Sequence, residues 1–243
     1  MSFVVIVFQM KRVVIPELLD ADSGSSQEIA QSLLDLRGIN KNFGGTATLK
    51  HMIEHVSTKL AITSFTLLEV AAGSGYVPET VRQRLENSGI QLRITLLDRA
   101  PAHLPSRISK NSVPRENLVR NLAVVADAME LPFQDGSFDL VDSSLFAHHL
   151  SPQELVEFVT EGLRVCRVAV LINDLVRHPV HLGLVYAALP LFHSRITRHD
   201  APASVRRAYT PDEVADLLQP TTAARVEIQR HYLFRMGVIV WKQ

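Results

Sequence analysis

Three carboxylates and two glycines stand where a nucleoside could be held. Glu69-Val70-Ala71-Ala72-Gly73-Ser74-Gly75 ends one apolar run, Asp98 closes a second, and Asp127-Ala128 closes a third. Glycines at 73 and 75 let the chain turn tightly and let a ligand approach the backbone. A carboxylate at the end of the second run can accept hydrogen bonds from ribose hydroxyls. One at the end of the third can take an exocyclic amine such as that of adenine. Taken singly these features are ordinary, a plain turn and two solvated or capping aspartates. Their succession describes a nucleoside site.

A second group of residues could act on a partner reactant. His148 and His149, in Ser143-Ser-Leu-Phe-Ala-His-His-Leu150, offer imidazoles that titrate near neutral pH. Either could serve as general base or hold an acceptor; the competing reading has one packing and the other capping a helix that starts near Pro152. Arg177-His178-Pro179 leads into an apolar segment, Val180 to Phe192, that contains Tyr186. His178 joins the candidate catalytic histidines. A basic cluster follows: His193, Arg195, Arg198, His199, Arg206 and Arg207. Such a run is either a solvated face or, with Arg177 and Arg206 turned inward beside Tyr186, a clamp for a carboxylate or phenolate. The ten histidines show no HExxH or Cys/His spacing, so no metal site suggests itself.

These groups need elements to carry them. Ser25 or Ser26 can cap a helix running from Gln27 to about Gly38, and Thr46 to Leu60 forms a second amphipathic helix. From there strands and helices alternate. Strands are expected over Phe65–Val70, Ile90–Leu97, Leu118–Ala126, Phe138–Ser143 and Arg167–Ile172. Helices are expected over Pro78–Asn87, Pro152–Arg164 and, capped by Thr210, Pro211–Leu218. Arg225–Arg230 and Phe234–Trp241 lie too close together for a crossover helix and form an antiparallel hairpin. The alternation indicates an α/β fold with a largely parallel sheet, whose ligands bind beyond the carboxyl ends of the strands. We divide the chain into an N-terminal helical extension, 1–60, and a ligand-binding domain, 61–243, with a lid insertion at about 177–208.

Composition narrows the function further. Lys+Arg and Asp+Glu number 25 each, for a net charge of zero, which argues against a dedicated nucleic-acid binder. Hydrophobic residues make up 47% of the 243, enough for a sizeable core. Cys166 is the lone cysteine, so no intrachain disulfide forms and a reducing, cytoplasmic setting fits best. No apolar run is long enough to insert stably in a membrane. Residues 1–9 are expected to be an extension of little structural role, with Met10 an equally good start.

The segments Leu67 to Gly75, Leu96-Leu-Asp98 and Ala126-Asp-Ala-Met-Glu-Leu-Pro-Phe-Gln-Asp-Gly-Ser-Phe-Asp-Leu-Val141 resemble the motifs of class I S-adenosylmethionine-dependent methyltransferases. The last segment is similar to the small-molecule branch that includes ubiquinone and menaquinone biosynthesis enzymes. The likeness is strong over about 65 to 175. It implies a Rossmann-like, seven-stranded, mostly parallel sheet, S-adenosylmethionine as cofactor, and transfer by direct displacement. It further implies that Glu69 supports the methionine amino end, with Ala71, Gly73 and Gly75 shaping the turn. Asp98 would bind the ribose and Arg99 lie against the adenine. Asp127 would take the adenine amine, with Ala128 and Met129 beside the ring, and Ser143 and Ser144 would stand where cofactor and acceptor meet. Ala71 departs from the usual glycine, which implies weaker packing tolerance rather than lost binding.

The acceptor expected on this resemblance is a small, fairly lipophilic aromatic, phenolic or quinone-like molecule, methylated at oxygen or carbon. One alternative is a cofactor-binding protein of the same fold that no longer methylates. Another is an NAD(P)-dependent oxidoreductase. Its fingerprint wants a third glycine for the pyrophosphate, and Pro78 stands there. The apolar insertion reads as a lid, a dimer surface or a lipid contact, which leaves a homodimer open.

Overall fold

Seven strands and seven α-helices run through residues 10–21, 23–101, 104 and 122–243, which a computed structural model describes. In chain order they are α1 (Ser26–Asn42), α2 (Gly45–Leu60), β1 (Ser64–Val70), α3 (Tyr76–Glu86), β2 (Gln91–Asp98), β3 (Leu122–Val125), β4 (Phe138–Ser144), α4 (Pro152–Val165), β5 (Cys166–Leu175), α5 (Pro179–Ala188), α6 (Arg195–Arg207), α7 (Pro211–Leu218), β6 (Arg225–His231) and β7 (Arg235–Trp241). They form one sheet in the order β3-β2-β1-β4-β5-β7-β6. β1 to β5 pair in parallel, while β7 runs antiparallel between β5 and β6. The strand order reverses at β1, so the carboxyl ends of β1 and β4 border the crevice where α/β sheets take ligands.

Both faces of the sheet are covered. On one, Leu155, Phe158 and Val159 of α4 pack with Val214 and Leu218 of α7 against Val141, Val170 and Val238. On the other, Leu49, Met52 and Val56 of α2 join Val81 and Leu85 of α3 over Leu67, Leu96 and Ile239. Central strands buried on two faces explain the near-continuous apolar runs. Three helices start with a capping box, in which Ser25, Ser151 and Thr210 accept from the amide of Glu28, Glu154 and Glu213.

Several boundaries differ from the sequence reading. α1 continues past Gly38 to Asn42, because a lone exposed-side glycine costs a helix only about 1 kcal/mol, and stops where Gly44 turns left-handed at φ +85°. β5 runs on through Asn173 and Asp174, paired to Gly237 and Met236 of β7. The basic cluster is helical: Ser194 caps α6, whose Ile196, Ala203 and Val205 are buried. Part of the expected third strand, residues 118–121, and the extension 1–9 lie outside the described residues.

The segment before α1 is tied down. Val13 donates to the Arg206 carbonyl at 3.0 Å, and the amides of Leu18 and Leu19 donate to Asp200 at 2.9 and 3.0 Å. Arg12 lies over the Tyr209 ring and reaches the carbonyls of Arg207, His148 and Leu150. No helix among the described residues is long and apolar enough to cross a membrane.

Candidate functional site

A cavity of about 880 Å³ opens at the carboxyl ends of β1, β2 and β4 and runs beneath α1, α5 and α6. Its volume lies at the upper end of the roughly 300–1,000 Å³ usual for ligand pockets. One end is lined by Glu69, Ala71, Gly73, Asp98, Arg99, Asp127, Ala128 and Met129, the other by Glu17, His148 and His149.

At the first end the backbone does most of the shaping. Ala71, Gly73 and Gly75 all adopt positive φ, at +56°, +51° and +67°. Asp98 holds this turn, accepting from the Gly73 amide at 2.8 Å and the Ala100 amide at 2.8 Å. A side chain on Gly73 would meet nothing within 4 Å, because that face looks into the cavity. One on Gly75 would come within 2.7 Å of Leu96 Cδ1. Gly75 is thus needed for packing and starts α3, and it does not line the cavity. Asp127 accepts from the Met129 amide at 2.9 Å, closing a local turn that presents Ala128 and Met129.

Beneath the turn, Glu69 and Asp142 sit side by side on paired strands, both buried. Glu69 Oε2 and Asp142 Oδ1 have no hydrogen-bond partner. Burial together with the neighbouring Asp142 pushes the Glu69 carboxyl well above its usual range, and burial raises Asp142 to about 6. Two carboxyls in such a place want a cation. Above them Arg37 of α1, whose Nε is also buried without a partner, lines the cavity with its guanidinium 5.8 Å from the Tyr76 ring centre. An orphaned acid and an orphaned base facing one cavity fit an amino acid's ammonium and carboxylate, the groups at the methionine end of S-adenosylmethionine.

Ser143 and Ser144 part company. Ser144 faces the cavity, donates to Asp142 at 3.1 Å and accepts from Asn173 at 3.0 Å. Ser143 points to the other side of the sheet, as strand alternation requires, and is buried outside the cavity with its Oγ unpartnered.

At the far end His148 is held by the tip of β5. Its backbone amide donates to Asp174 Oδ2 at 2.8 Å and its Nδ1 lies 2.7 Å from Asp174 Oδ1. Burial alone would lower the His148 pKa, but Asp174 and Glu17 outweigh it and push it up to about 9. At neutral pH His148 is therefore an imidazolium and no base. His149 Nδ1 sits 2.7 Å from Asp20 Oδ2, and Arg207 donates to the His149 carbonyl at 2.9 Å. The apolar part of the cavity comes from Phe146, Leu184, Val185, Ala188, Leu191 and Phe192.

Of the residues offered as catalytic or acceptor-binding, four lie outside the cavity. Arg177 is buried, donating to the carbonyls of Met10 and Ala208 at 2.6 Å each and pairing with Glu213; it fastens the chain just before α5. His178 caps α5, accepting from the Val180 amide at 3.1 Å, and stacks on Phe234. Tyr186 and Arg206 bond to each other at 2.6 Å on the outer surface. A helix advances about 100° per residue, so Arg206 points out while Arg207, one step on, points in. The inward members of the basic run are thus Arg207 and the Thr197–Asp200–Ser204 face, not Arg206.

The sequence pattern does not single out Glu17, Asp20 or the buried Arg235, and it offers Arg207 only as one member of the basic cluster. Glu17 and Asp20 stand in a stretch with no periodicity, and only the fold brings them to residues 129 or more positions away. Arg235 carried a weak signal, a lone charge opening an apolar strand. It is 1% exposed, donates to Asn40 at 3.1 Å, and burial lowers its pKa to about 10.

Comparison with known proteins agrees with this geometry. Residues 68–171 match the family model for a methyltransferase domain. No curated protein matches the sequence. Among solved structures, the chain is similar to a plantazolicin methyltransferase crystallised with a triazolic desmethylPZN analogue and SAH (12% identity, TM-score 0.65, 89% of this chain and 91% of that one). It is also similar to an O-methyltransferase family 2 protein from Planctomyces limnophilus in complex with apigenin (16% identity, TM-score 0.59, 90% and 63%). A third is the magnesium protoporphyrin IX methyltransferase of Synechocystis with bound SAH (12%, TM-score 0.54, 82% and 84%). The sheet order, with its antiparallel β7, is the Rossmann-like fold of these methyltransferases, and the segment that matches the methyltransferase domain model carries the ends of β1, β2 and β4.

Proposed function

We propose that the protein methylates oxygen or carbon of a small aromatic, phenolic or quinone-like acceptor bound between the lid helices and the cofactor. The observation that carries this reading is the shape of the cavity. A polar end suited to a nucleoside and an amino acid runs directly into an apolar chamber that closes on two histidines. S-adenosylmethionine supplies an electrophilic methyl group on its sulfonium.

This chain's residues would do the rest. Glu69 takes the ammonium of the methionine end and Arg37 its carboxylate. Asp98 takes the ribose hydroxyls with the lone pairs left by the Gly73 and Ala100 amides. Asp127 takes the adenine amine, with Arg99, Ala128 and Met129 about the ring. Phe146, Leu184, Leu191 and Phe192 hold an apolar acceptor and keep water out, and alignment of the reacting atoms is itself worth a large part of the rate. His149, oriented by Asp20, and the imidazolium of His148 would stabilise the deprotonated acceptor.

The direct test is incubation with methyl-labelled cofactor and a panel of phenols and quinols. We expect label in at least one product, and a turnover about 100-fold lower in His149→Ala with unchanged affinity for S-adenosylhomocysteine. Label confined to peptides or amines, or full turnover in the variant, would refute the reading. The rival, a cofactor binder without activity, predicts tight cofactor binding and no labelled product anywhere.

A further inference from the structure

The acceptor end contains more than two separate histidines. Glu17, His148 and His149 turn their ligating atoms toward one another, all within 4.8 Å. His148 Nε2 stands 3.6 Å from Glu17 Oε1, and His149 Nε2 stands 3.8 Å from Glu17 Oε2. These gaps are too long for hydrogen bonds. They are close to the donor–donor edge of a tetrahedral zinc site, about 3.3–3.4 Å for bonds of about 2.0–2.1 Å.

The second layer points the same way. Each imidazole gives its Nδ1 to a carboxylate at 2.7 Å, Asp174 for His148 and Asp20 for His149. That fixes the rings with Nε2 toward Glu17, the carboxylate–histidine arrangement that orients metal ligands. Ser204 donates to Glu17 Oε1 at 2.9 Å and steadies the third ligand. Charge favours a dication. With neutral imidazoles, the carboxylates of Glu17, Asp20 and Asp174 outnumber the one guanidinium in contact with them, that of Arg207 at 3.7 Å from both Glu17 and Asp20. Arg12 bonds to backbone carbonyls, those of Arg207, His148 and Leu150, and to none of these carboxylates.

We propose that Glu17, His148 and His149 form a binding site for a divalent cation of the zinc class, with its remaining coordination position open to the cavity. Binding displaces the Nε2 proton of His148 to solvent and leaves the Nδ1 proton on the ring, donated to the Asp174 carboxylate, so that the ion takes over the positive charge the imidazolium carries in the metal-free site. Three protein ligands and one open position are the pattern of catalytic rather than structural zinc. The use of that open position rests on the acceptor reading above: a phenolic oxygen bound there would lose its proton to solvent at neutral pH, as metal-bound water does.

Cobalt titration of the chelator-treated full-length protein tests the site. We expect one Co²⁺ per chain with the intense visible bands of a four-coordinate ion, displaced by Zn²⁺. Glu17→Gln and His149→Ala should each weaken binding by at least about 100-fold, and Asp20→Asn, a change at a half-exposed position, by roughly 10–100-fold. His193→Ala, an exposed histidine that is not part of the cavity wall, should change nothing. Weak, substoichiometric binding, or binding that survives all three variants, overturns the proposal. Cobalt that binds as described while no phenol is methylated leaves the metal site standing and removes the acceptor reading. Phenol methylation by a protein that binds no cobalt does the reverse.

Discussion

The proposed function gives the cavity a cofactor end and an acceptor end, and the two are built on opposite plans. The cofactor end is made of short stretches, 69–75, 98–100 and 127–129, each at the tip of a parallel strand and each closed by its own backbone. The acceptor end draws Glu17 and Asp20 from the N-terminal segment, His148 and His149 from the turn after β4, Asp174 from the tip of β5, and Arg207 from α6. The first is a property of local sequence within a given fold. The second exists only when long-range packing is complete. Substitutions at the cofactor end should therefore change affinity through single, nameable contacts, whereas those at the acceptor end should change several contacts together.

Glu69→Gln probes the cofactor end most sharply. Under the proposed function it removes the charge assigned to the cofactor's ammonium, and charge-assisted hydrogen bonds are worth about 1.5–3 kcal/mol. Affinity for S-adenosylhomocysteine should drop roughly 10–100-fold by calorimetry. The same change relieves a buried pair of acids, so the unliganded protein should become more stable, by about 1 kcal/mol in urea unfolding. A variant that loses affinity and stability together would show that Glu69 serves packing rather than the ligand.

The same pair predicts a pH dependence. Asp142 is raised from 3.8 to about 6 and Glu69 is raised well above 4.5, so the folded, unliganded protein keeps protons that the unfolded chain has released. The stability this contributes is fully present below about pH 4 and is lost as pH rises through about 6. The ammonium binds the ionised pair, so cofactor affinity should climb as pH rises from 5 to 7, by up to about tenfold per unit at the steepest point. Glu69→Gln should flatten that climb. An affinity that is flat over this range in the wild type would mean that the pair is ionised throughout.

This contrast also explains what could be read from the sequence. The place of Glu69, Asp98 and Asp127 on the cavity wall is legible because each ends or follows an apolar run, and strand alternation then decides what faces the cavity. That rule distinguishes Ser144 from Ser143 only once the strand's facing is known. The antiparallel hairpin was legible from its short connection. α6 was not, since its apolar residues are sparse and its charges mask the stripe formed by Ile196, Ala203 and Val205. Arg177 and Arg206 looked like ligands because charge next to an apolar lid suggests a clamp, but carbonyls and Glu213 consume one and Tyr186 the other. Glu17 had no local pattern at all, and it is the residue on which the metal site depends.

The smallest expected effect tests how far the cofactor turn is tuned. Ala71 holds φ +56°, a left-handed conformation that costs an alanine roughly 1–2 kcal/mol. Glycine there is free of that strain but adds entropy to the unfolded chain, which returns about 0.4–1 kcal/mol. Ala71→Gly should thus stabilise the protein by under about 1 kcal/mol, a rise in Tm of about 1–3 °C in a chain of this size. Cofactor affinity should stay within about twofold, because the strain is present with and without ligand and the Asp98–Gly73 bond still sets the turn. A fall in Tm would mean that the methyl group packs usefully against the turn, outweighing its backbone cost. A larger change in affinity would place Ala71 among the cofactor's own contacts, and the cofactor end would then depend on a side chain where the backbone now suffices.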